Sequence, residues 1–536
     1  MKAHLLNPAR DFDWQWTFHA AAEREAKRRG WKYEAPEDFD WRAGLPWNAE
    51  TLAQDLSLDT LFEAMAGDDD VIFEVARKVI LAGVEADIET IRYRQSILRD
   101  CLANAETVRK LYAIAEEAIE KHKAHAAGTL SRFPDWVLRK AIEQLGISVG
   151  DLRKMRQLAE SHGARFAAPG WTEFFAMLQR DLDDDYLGVV EGHLDQLRLR
   201  NGELVSAELG PGNAGRRYML HPVITEEGWK LQSWIRDFFE EKQQTYSFEI
   251  PARDVAGAQA LAELGNRGIV LAANALGQAA DHVLDFFGVL RAELAFYVGC
   301  LNLFDRLKGK GEPICMPVPT PTEEQALSFR GLYDVGLTLS IERRTVGNDA
   351  DADRKSLVVI TGPNTGGKST LLRGIGVAQL MMQSGMFVGA EAFTASLCNG
   401  LFTHYRGEED ENLRSGKFDE ELRRMSDIVD RVRPGATVLF NESFAATNER
   451  EGSEIARQIV TALVENRVRT FFVTHMFELA SGFLHHPPGD VLSLRAEREA
   501  TGSRTFKLHE GEPLPTSFGE DLYDKIFGRR AEVVNR

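Results

Sequence analysis

Apolar residues recur at helical spacing through the first part of the chain and at strand spacing near its end. Between about residues 50 and 170, Val84, Ile88, Ile91 and Leu98 follow the i, i+4, i+7 rule of an amphipathic helix. Ala, Glu, Lys and Leu dominate there, and prolines are few. The period then changes. Val205, Ala207 and Leu209 alternate, Gly210-Pro211-Gly212-Asn213 marks a turn, and Tyr246, Phe248 and Ile250 alternate again before Pro251. This predicts a small β-rich insertion over about 188–252. Residues 269–307 next read as one long helix, about 55–60 Å if unbroken at 1.5 Å per residue. That length suits a lever between distant parts, with Gly277, Gly288 and Gly299 as bends or close contacts.

Pro317, Pro319 and Pro321 punctuate a boundary. Beyond it, the short β-like runs Leu357–Thr361, Thr437–Phe440 and Thr470–Thr474 alternate with helical segments. Such alternation predicts an α/β domain with a mostly parallel sheet covered by helices. The expected organisation is an N-terminal segment over 1–50, a mainly α-helical domain over 51–317 interrupted by the β-rich insertion, and an α/β domain over 318–536. Five of the nine tryptophans, Trp14, Trp16, Trp31, Trp41 and Trp47, lie in the first 50 residues. They are read as packing on the next domain rather than as a docking peptide for a partner. Lys27-Arg28-Arg29 reads as a solvated helix end. Asp68-Asp69-Asp70 and Asp183-Asp184-Asp185 read as loops or helix starts, because adjacent side chains on a helix diverge and do not converge on a metal.

Composition narrows the class. A chain of 536 residues suggests two to four domains. Hydrophobic residues at 44% and charged residues at 27% are those of a soluble globular protein and exclude wholesale disorder. No apolar run approaches the roughly 18–20 residues that cross a bilayer, and Asp11 and Asp13 follow too soon after Met1 for a secretory signal. Cys101, Cys300, Cys315 and Cys398 are scattered with no pair at metal spacing, which fits a reducing cytoplasm. The net charge of −18 lowers the expectation of tight, non-specific DNA binding by a monomer, although the local field decides.

The sharpest signal follows the run Leu357–Thr361. Gly362-Pro363-Asn364-Thr365-Gly366-Gly367-Lys368-Ser369-Thr370 matches G-x-x-x-x-G-K-[ST] between a strand and a helix. Glycines let backbone N–H groups curl around phosphate oxygens, and the helix N-terminus adds positive potential. Lys368 is expected to reach the β- and γ-phosphates of a nucleotide, and the Ser369 hydroxyl to ligate Mg²⁺. A nucleotide-hydrolysing site also needs a strand that ends in acid. Val438-Leu439-Phe440-Asn441-Glu442 supplies it, with Asn441 where Asp would be expected and Glu442 at the position that orients or deprotonates water. Phe471-Phe472-Val473-Thr474-His475 is a further strand ending in a His, which reads either as a satisfied core residue or, as in this class of ATPase, as a sensor of the γ-phosphate.

At these residues the chain resembles the DNA mismatch-repair MutS family of ATPases. Thr361 to Thr370 is similar to that family's phosphate loop. Phe418 precedes Asn441 at the family's spacing, Glu421 matches the acid that follows that Phe, and Thr447 and Gly452 fall in step with a Gly-Thr-x-x-x-x-Gly stretch. Thr474-His475-Met476-Phe477-Glu478-Leu479 looks like its Thr-His-x-x-Glu-Leu segment, and Ser517-Phe518-Gly519 like its closing Ser-Tyr-Gly. Upstream, Ile91-Arg92-Tyr93-Arg94-Gln95 looks like the entry to the family's helical core, and Tyr297-Val298-Gly299-Cys300-Leu301 like the return of its lever.

The resemblance implies a P-loop ATPase domain of the ABC type behind a helical core and lever, with residues 188–252 as a short clamp-like insertion. It implies ATP and Mg²⁺ as cofactors, with Ser369 and Asn441 serving the metal, and Glu442, His475 and Lys368 as the catalytic residues. It also implies a homodimer closed through the ATPase domains. There Ser415 or the Gly416 amide, in Leu413-Arg414-Ser415-Gly416-Lys417, would donate to the partner's γ-phosphate; a plain Ser-Gly turn reads equally well. Three departures stand out. Helical-core character begins near residue 50, without the family's mismatch-recognition and connector domains; the clamp-like insertion is short; and Asn441 keeps an oxygen acceptor but loses a charge. The expected function is an ATPase that couples nucleotide state to DNA binding or clamping in repair or recombination, without mismatch reading. The alternative is a nucleotide-gated dimeric scaffold with little turnover, acting through protein partners. A small-molecule P-loop kinase would need an acceptor site and a lid that the helical arm does not explain.

Overall fold

The structure is a computed structural model that describes residues 1–126, 133–199, 204–213, 215–221, 250–251, 253–406, 416–498 and 504–515. Its chain divides into two compact units that interleave in sequence. One holds Met1–Ala3, Arg109–Phe166 and Trp171–Arg291; the other holds His4–Val108, Ala167–Gly170 and Ala292–Arg536. The sequence had suggested boundaries at about 50 and 317.

The first unit is helical. Helices Pro134–His162 and Asp184–Leu197 and the first part of Val255–Gly309 share a core of Leu138, Ile142, Leu145, Leu194, Ile269 and Ala273. The spacing of Leu138, Ile142 and Leu145 is the i, i+4, i+7 stripe that buries one helix face. Asp183 starts its helix by accepting the Tyr186 N–H at 2.6 Å, so the acidic triplet is a cap. Strands β1 (Leu204–Leu209) and β2 (Gly215–His221) pair antiparallel, with a register shift between Ser206 and Glu208. The alternation expected at Tyr246 and Phe248 lies outside the described residues. The long helix expected over 269–307 extends over Val255–Gly309. Its three glycines do not break it, and Gly299 is a close contact: a Cβ there would lie 3.0 Å from Ile72 Cγ2.

The second unit combines helices with two mixed sheets. Its strands are β3 (Val318–Thr320), β4 (Leu327–Leu332), β5 (Asn348–Asp351), β6 (Leu357–Thr361), β7 (Ala392–Ser396), β8 (Leu401–Tyr405), β9 (Thr437–Asn441), β10 (Arg469–Val473), β11 (Val491–Arg498) and β12 (Arg504–Glu510). Six form a sheet of order β12-β11-β6-β10-β9-β8, and four a sheet of order β3-β7-β4-β5. In the larger sheet all pairs are parallel except the edge pair β11–β12. Strand β6 is buried along its whole length, as a central parallel strand must be. Each of its Leu, Val and Ile side chains contributes on the order of 1.5–3 kcal/mol by burial. Helices Glu449–Glu465 and Phe477–His485 cover one face through Ala456, Val460 and Phe483, which meet Val438, Phe440 and Phe472.

Helices Ala49–Asp55, Leu58–Ala66, Asp70–Leu81 and Ile88–Ala103 lie in this unit too. Asp69 caps Asp70–Leu81 by accepting the Val71 N–H at 2.8 Å, and Lys27-Arg28-Arg29 form the last turn of Trp14–Arg29. Tryptophan burial is only partly as expected: Trp16 is buried, whereas Trp31, Trp41 and Trp47 are exposed. The exposed Trp47 ring instead carries the Arg431 guanidinium 4.4 Å above it. Among the described residues no helix is long and apolar enough to cross a membrane, and no cluster of three or more His, Cys, Asp or Glu could hold a metal ion.

The N-terminal strap is held by polar groups. Leu5 and Leu6 are buried; Leu5 N–H donates to Glu293 Oε2 at 2.6 Å, Tyr297 Oη–H to the Leu5 carbonyl at 2.6 Å, and Arg94 Nε–H to the Leu6 carbonyl at 2.8 Å. Burial pushes the Glu293 carboxyl up to about 8; nearby Asp11 adds to this, and the amides of Leu5, Phe12 and Leu6 oppose it. The folded state therefore keeps a proton that the unfolded chain releases near its ordinary value of 4.5. Stability from this group is fully present below that value and is lost as pH rises towards about 8. Glu293→Gln is expected to flatten the fall of the thermal midpoint over this window and to leave the variant more stable than wild type at its upper end. Melts at a series of pH values check this.

Candidate nucleotide site

Strand β6 delivers the chain into the glycine-rich loop, and helix Lys368–Gln383 leaves it. The glycines answer to geometry. Gly362 has φ +122°, and a Cβ there would stand 2.8 Å from Ala496 Cβ and 2.9 Å from Ala496 N on the neighbouring strand β11. Gly367, at φ +94°, is the N-cap of the helix, whose first turn presents amides to the loop. Lys368 is buried, and its ammonium donates to the carbonyls of Gly362 at 3.0 Å and Pro363 at 3.1 Å. Burial pulls its pKa down, and Glu442 opposes that shift.

Ser369 Oγ–H donates to Asn441 Oδ1 at 2.8 Å, joining the loop to the end of β9. Glu442 follows in a left-handed conformation, φ +53°, with its N–H on the Val473 carbonyl at 2.9 Å. His475 Nδ1 stands 3.9 Å from Glu442 Oε1, an ion-pair distance too long for a hydrogen bond. His475, then Lys368 and Arg406, hold the Glu442 carboxyl below its usual range, against the opposing effect of burial. Glu442 is thus a carboxylate at neutral pH.

The structure therefore gathers Lys368, Ser369, Asn441, Glu442 and His475 at the carboxyl edge of the parallel strands. Asn364, Thr365, Gly366, Gly367, Lys368, Ser369 and Thr370 line a cavity of about 480 Å³, which Glu442 also faces. Gly362 and Pro363 form the base of the loop. Gly416 is exposed and caps helix Lys417–Val429, while Ser415 and Ser517-Phe518-Gly519 lie outside the described residues. Phe418 packs against the core of the sheet, and Gly452 sits under the Phe444 carbonyl, where a Cβ would approach to 2.2 Å. The opposite wall of the cavity was missed in the sequence. It is built by Leu337, Ile341, Arg343, Val346, Arg504 and Phe506. No motif marks these residues, and strands β5 and β12 were not predicted.

A glycine-rich loop at the carboxyl edge of a buried parallel strand, with a lysine, a hydroxyl and a carboxylate beside it, defines an α/β protein with a phosphate-binding-loop motif. Residues 358–522 match the family model of MutS domain V, and residues 86–310 that of the MutS2 N-terminal domain. The chain belongs to the MutS family, whose domain V is a P-loop ATPase domain. It is 35% identical to the DNA mismatch repair protein MutS of Thermus aquaticus over 200 residues, which is 37% of this chain and 24% of that protein. It is 32% identical to Endonuclease MutS2 of Carboxydothermus hydrogenoformans over 173 residues, 32% of this chain and 21% of that protein. It is 26% identical to MutS protein homolog 4 of Homo sapiens over 197 residues, 35% of this chain and 21% of that protein. The chain thus spans about a quarter or less of these curated relatives.

Glycine chemistry gives a direct check. Gly362→Ala is expected to lower stability by on the order of 1–3 kcal/mol from backbone strain, with the clash against Ala496 added. Gly482→Ala, in helix Phe477–His485 with nothing near its Cβ position, is expected to raise stability by about 0.5–1 kcal/mol. Urea unfolding of both variants measures the contrast.

Proposed function

We propose that this chain binds ATP with Mg²⁺ and hydrolyses it on an ABC-type P-loop domain. Nucleotide state is then coupled to DNA binding or clamping in DNA repair or recombination. The observation that carries this reading is the meeting of Ser369, Asn441, Lys368 and Glu442 at one loop. The residues fit the nucleotide. A buried ammonium turned onto its own loop carbonyls is a cation ready for phosphate, and the helix start offers free amides. Gly362 to Thr370 cradle the phosphates, and Lys368 binds the terminal ones. Ser369 would hold the metal directly, and Asn441, with its neutral oxygen, would serve it through water. Mg²⁺ when bound neutralises phosphate charge. Glu442, ionised beside His475, orients the attacking water and takes up its proton, and His475 hydrogen-bonds the terminal phosphate.

Two protomers closing through their ATPase domains complete each site, with Ser415 or the Gly416 amide as the donor from across the interface. Closure is carried to DNA through helix Val255–Gly309 and the hairpin β1–β2. The second reading, a nucleotide-gated scaffold with little turnover, is favoured by one observation: the acceptor for Ser369 is a neutral amide.

Hydrolysis by the purified chain, with and without duplex, mismatched and branched DNA at two stated salt concentrations, tests the reading. Turnover that responds to one DNA form supports it. ATP binding with no turnover and no response to any DNA transfers the conclusion to the scaffold. Glu442→Ala is expected to cut turnover by about 10²-fold or more while ATP affinity stays within about threefold. Asn441→Asp restores a charge beside Ser369 and is expected to lower the Mg²⁺ concentration for half-maximal turnover several-fold; a Mg²⁺ titration reads it.

A further inference from the structure

Glu442 owes its place to an unusual stretch of backbone. Both Glu442, φ +53°, and Phe444, φ +64°, are left-handed without being glycine. Each such residue costs on the order of 1–2 kcal/mol and persists only where its surroundings over-determine it. Phe444 is wholly buried, and its N–H donates to a carboxylate oxygen of Glu421 at 2.8 Å. Its ring stacks on the His404 imidazole, with centroids 5.1 Å apart and planes 18° from parallel. Between the two left-handed residues, Ser443 Oγ lies 2.8 Å from His404 Nδ1 and 2.5 Å from the His404 carbonyl oxygen.

The tautomer of His404 follows from its other nitrogen. Nε2 lies 2.9 Å from the Glu421 carbonyl oxygen, which only accepts, so Nε2 carries the proton. Burial pushes this imidazole down to about 4, so it is neutral at physiological pH, and the Ser443 hydroxyl beside Nδ1 donates its proton to the His404 carbonyl. Glu421 thus grips twice, by its carbonyl on His404 and by its carboxylate on Phe444. Both residues are buried, and neither lines the nucleotide cavity.

We propose that His404 and Glu421 are positioning residues. By holding Ser443 and Phe444, they keep residues 442–444 in the turn that aims the Glu442 carboxylate at the loop. If Glu442 relaxed to an ordinary extended φ, its Cα–Cβ bond would point elsewhere and leave Lys368 and His475. The inference rests on the reading of Glu442 as the residue that orients water.

The test combines turnover, nucleotide affinity and amide hydrogen exchange at residues 442–444 in Glu421→Ala, Glu421→Gln and Ser443→Ala. Glu421→Ala and Ser443→Ala are expected to lower kcat about tenfold with KM and ATP affinity within about twofold. Exchange at 442–444 should rise in both. Glu421→Gln keeps an oxygen for the Phe444 N–H and should recover most of both losses. Unchanged kcat, equal losses in kcat and affinity, or a Gln variant no better than Ala would overturn the proposal. Should Glu421→Ala fail to fold, Ser443→Ala carries the same split. If the wild-type chain binds ATP without turnover, the ATPase reading falls by itself. The clamp is then judged on exchange: protection at 442–444 that Glu421→Ala leaves unchanged removes it.

Discussion

Complete burial of strand Leu357–Thr361 is the constraint on which the site depends. Flanked by β10 and β11, β6 has both ladder edges occupied and both faces covered, so its end point is set to within a hydrogen bond. The loop that leaves it must pass close to Ala496, and only a residue without a Cβ fits at Gly362. The start of helix Lys368–Gln383, and so the direction of its free amides, follows from that passage. The neighbouring strands bring Asn441 and Val473 level with each other, which sets Glu442 and His475 beside the loop.

Electrostatics then settles how these groups are charged. Lys368 is buried, which disfavours its cation, yet it stands near a carboxylate and under loop carbonyls that favour it. Glu442 is half-buried, which disfavours its anion, yet His475 and Lys368 outweigh that cost. Each ion thus stabilises the other in a partly dry setting, where Coulomb interactions are stronger than in water. Asn441 makes the hydrogen bond that joins strand to loop without adding a charge. The loop geometry is retained, and the local field is one negative charge weaker than an aspartate would give.

A second layer lies behind the first. His404, Glu421 and Gly452 do not line the nucleotide cavity, but they touch the turn that carries Glu442. Gly452 must lack a Cβ because the Phe444 carbonyl occupies that space, and His404 is neutral because burial pushes its imidazole down to about 4. The matching positions of Thr447, Gly452 and Glu421 in the sequence resemblance thereby acquire physical reasons. Glu421 holds an amide, Gly452 makes room for a carbonyl, and Thr447 donates to Glu451 at 3.3 Å.

The chain order by itself determined the parts whose cause is local. Strand β6 was legible because a fully buried parallel strand is a continuous apolar run. The loop was legible because phosphate cradling demands glycines and Lys-Ser at set spacing. The starts of two helices were legible because aspartates cap them. Tertiary structure alone decided the rest. The far wall of the cavity joins Arg343 to Phe506, and the turn clamp joins His404 to Ser443, in each case by packing of segments far apart in sequence. Strands β5, β8 and β12 are short or mixed in polarity, so no periodicity announced them. The interleaving of the two compact units has the same origin: helices near the start of the chain bury their apolar faces with the sheets near its end, and a one-dimensional pattern shows which face is apolar but not what covers it.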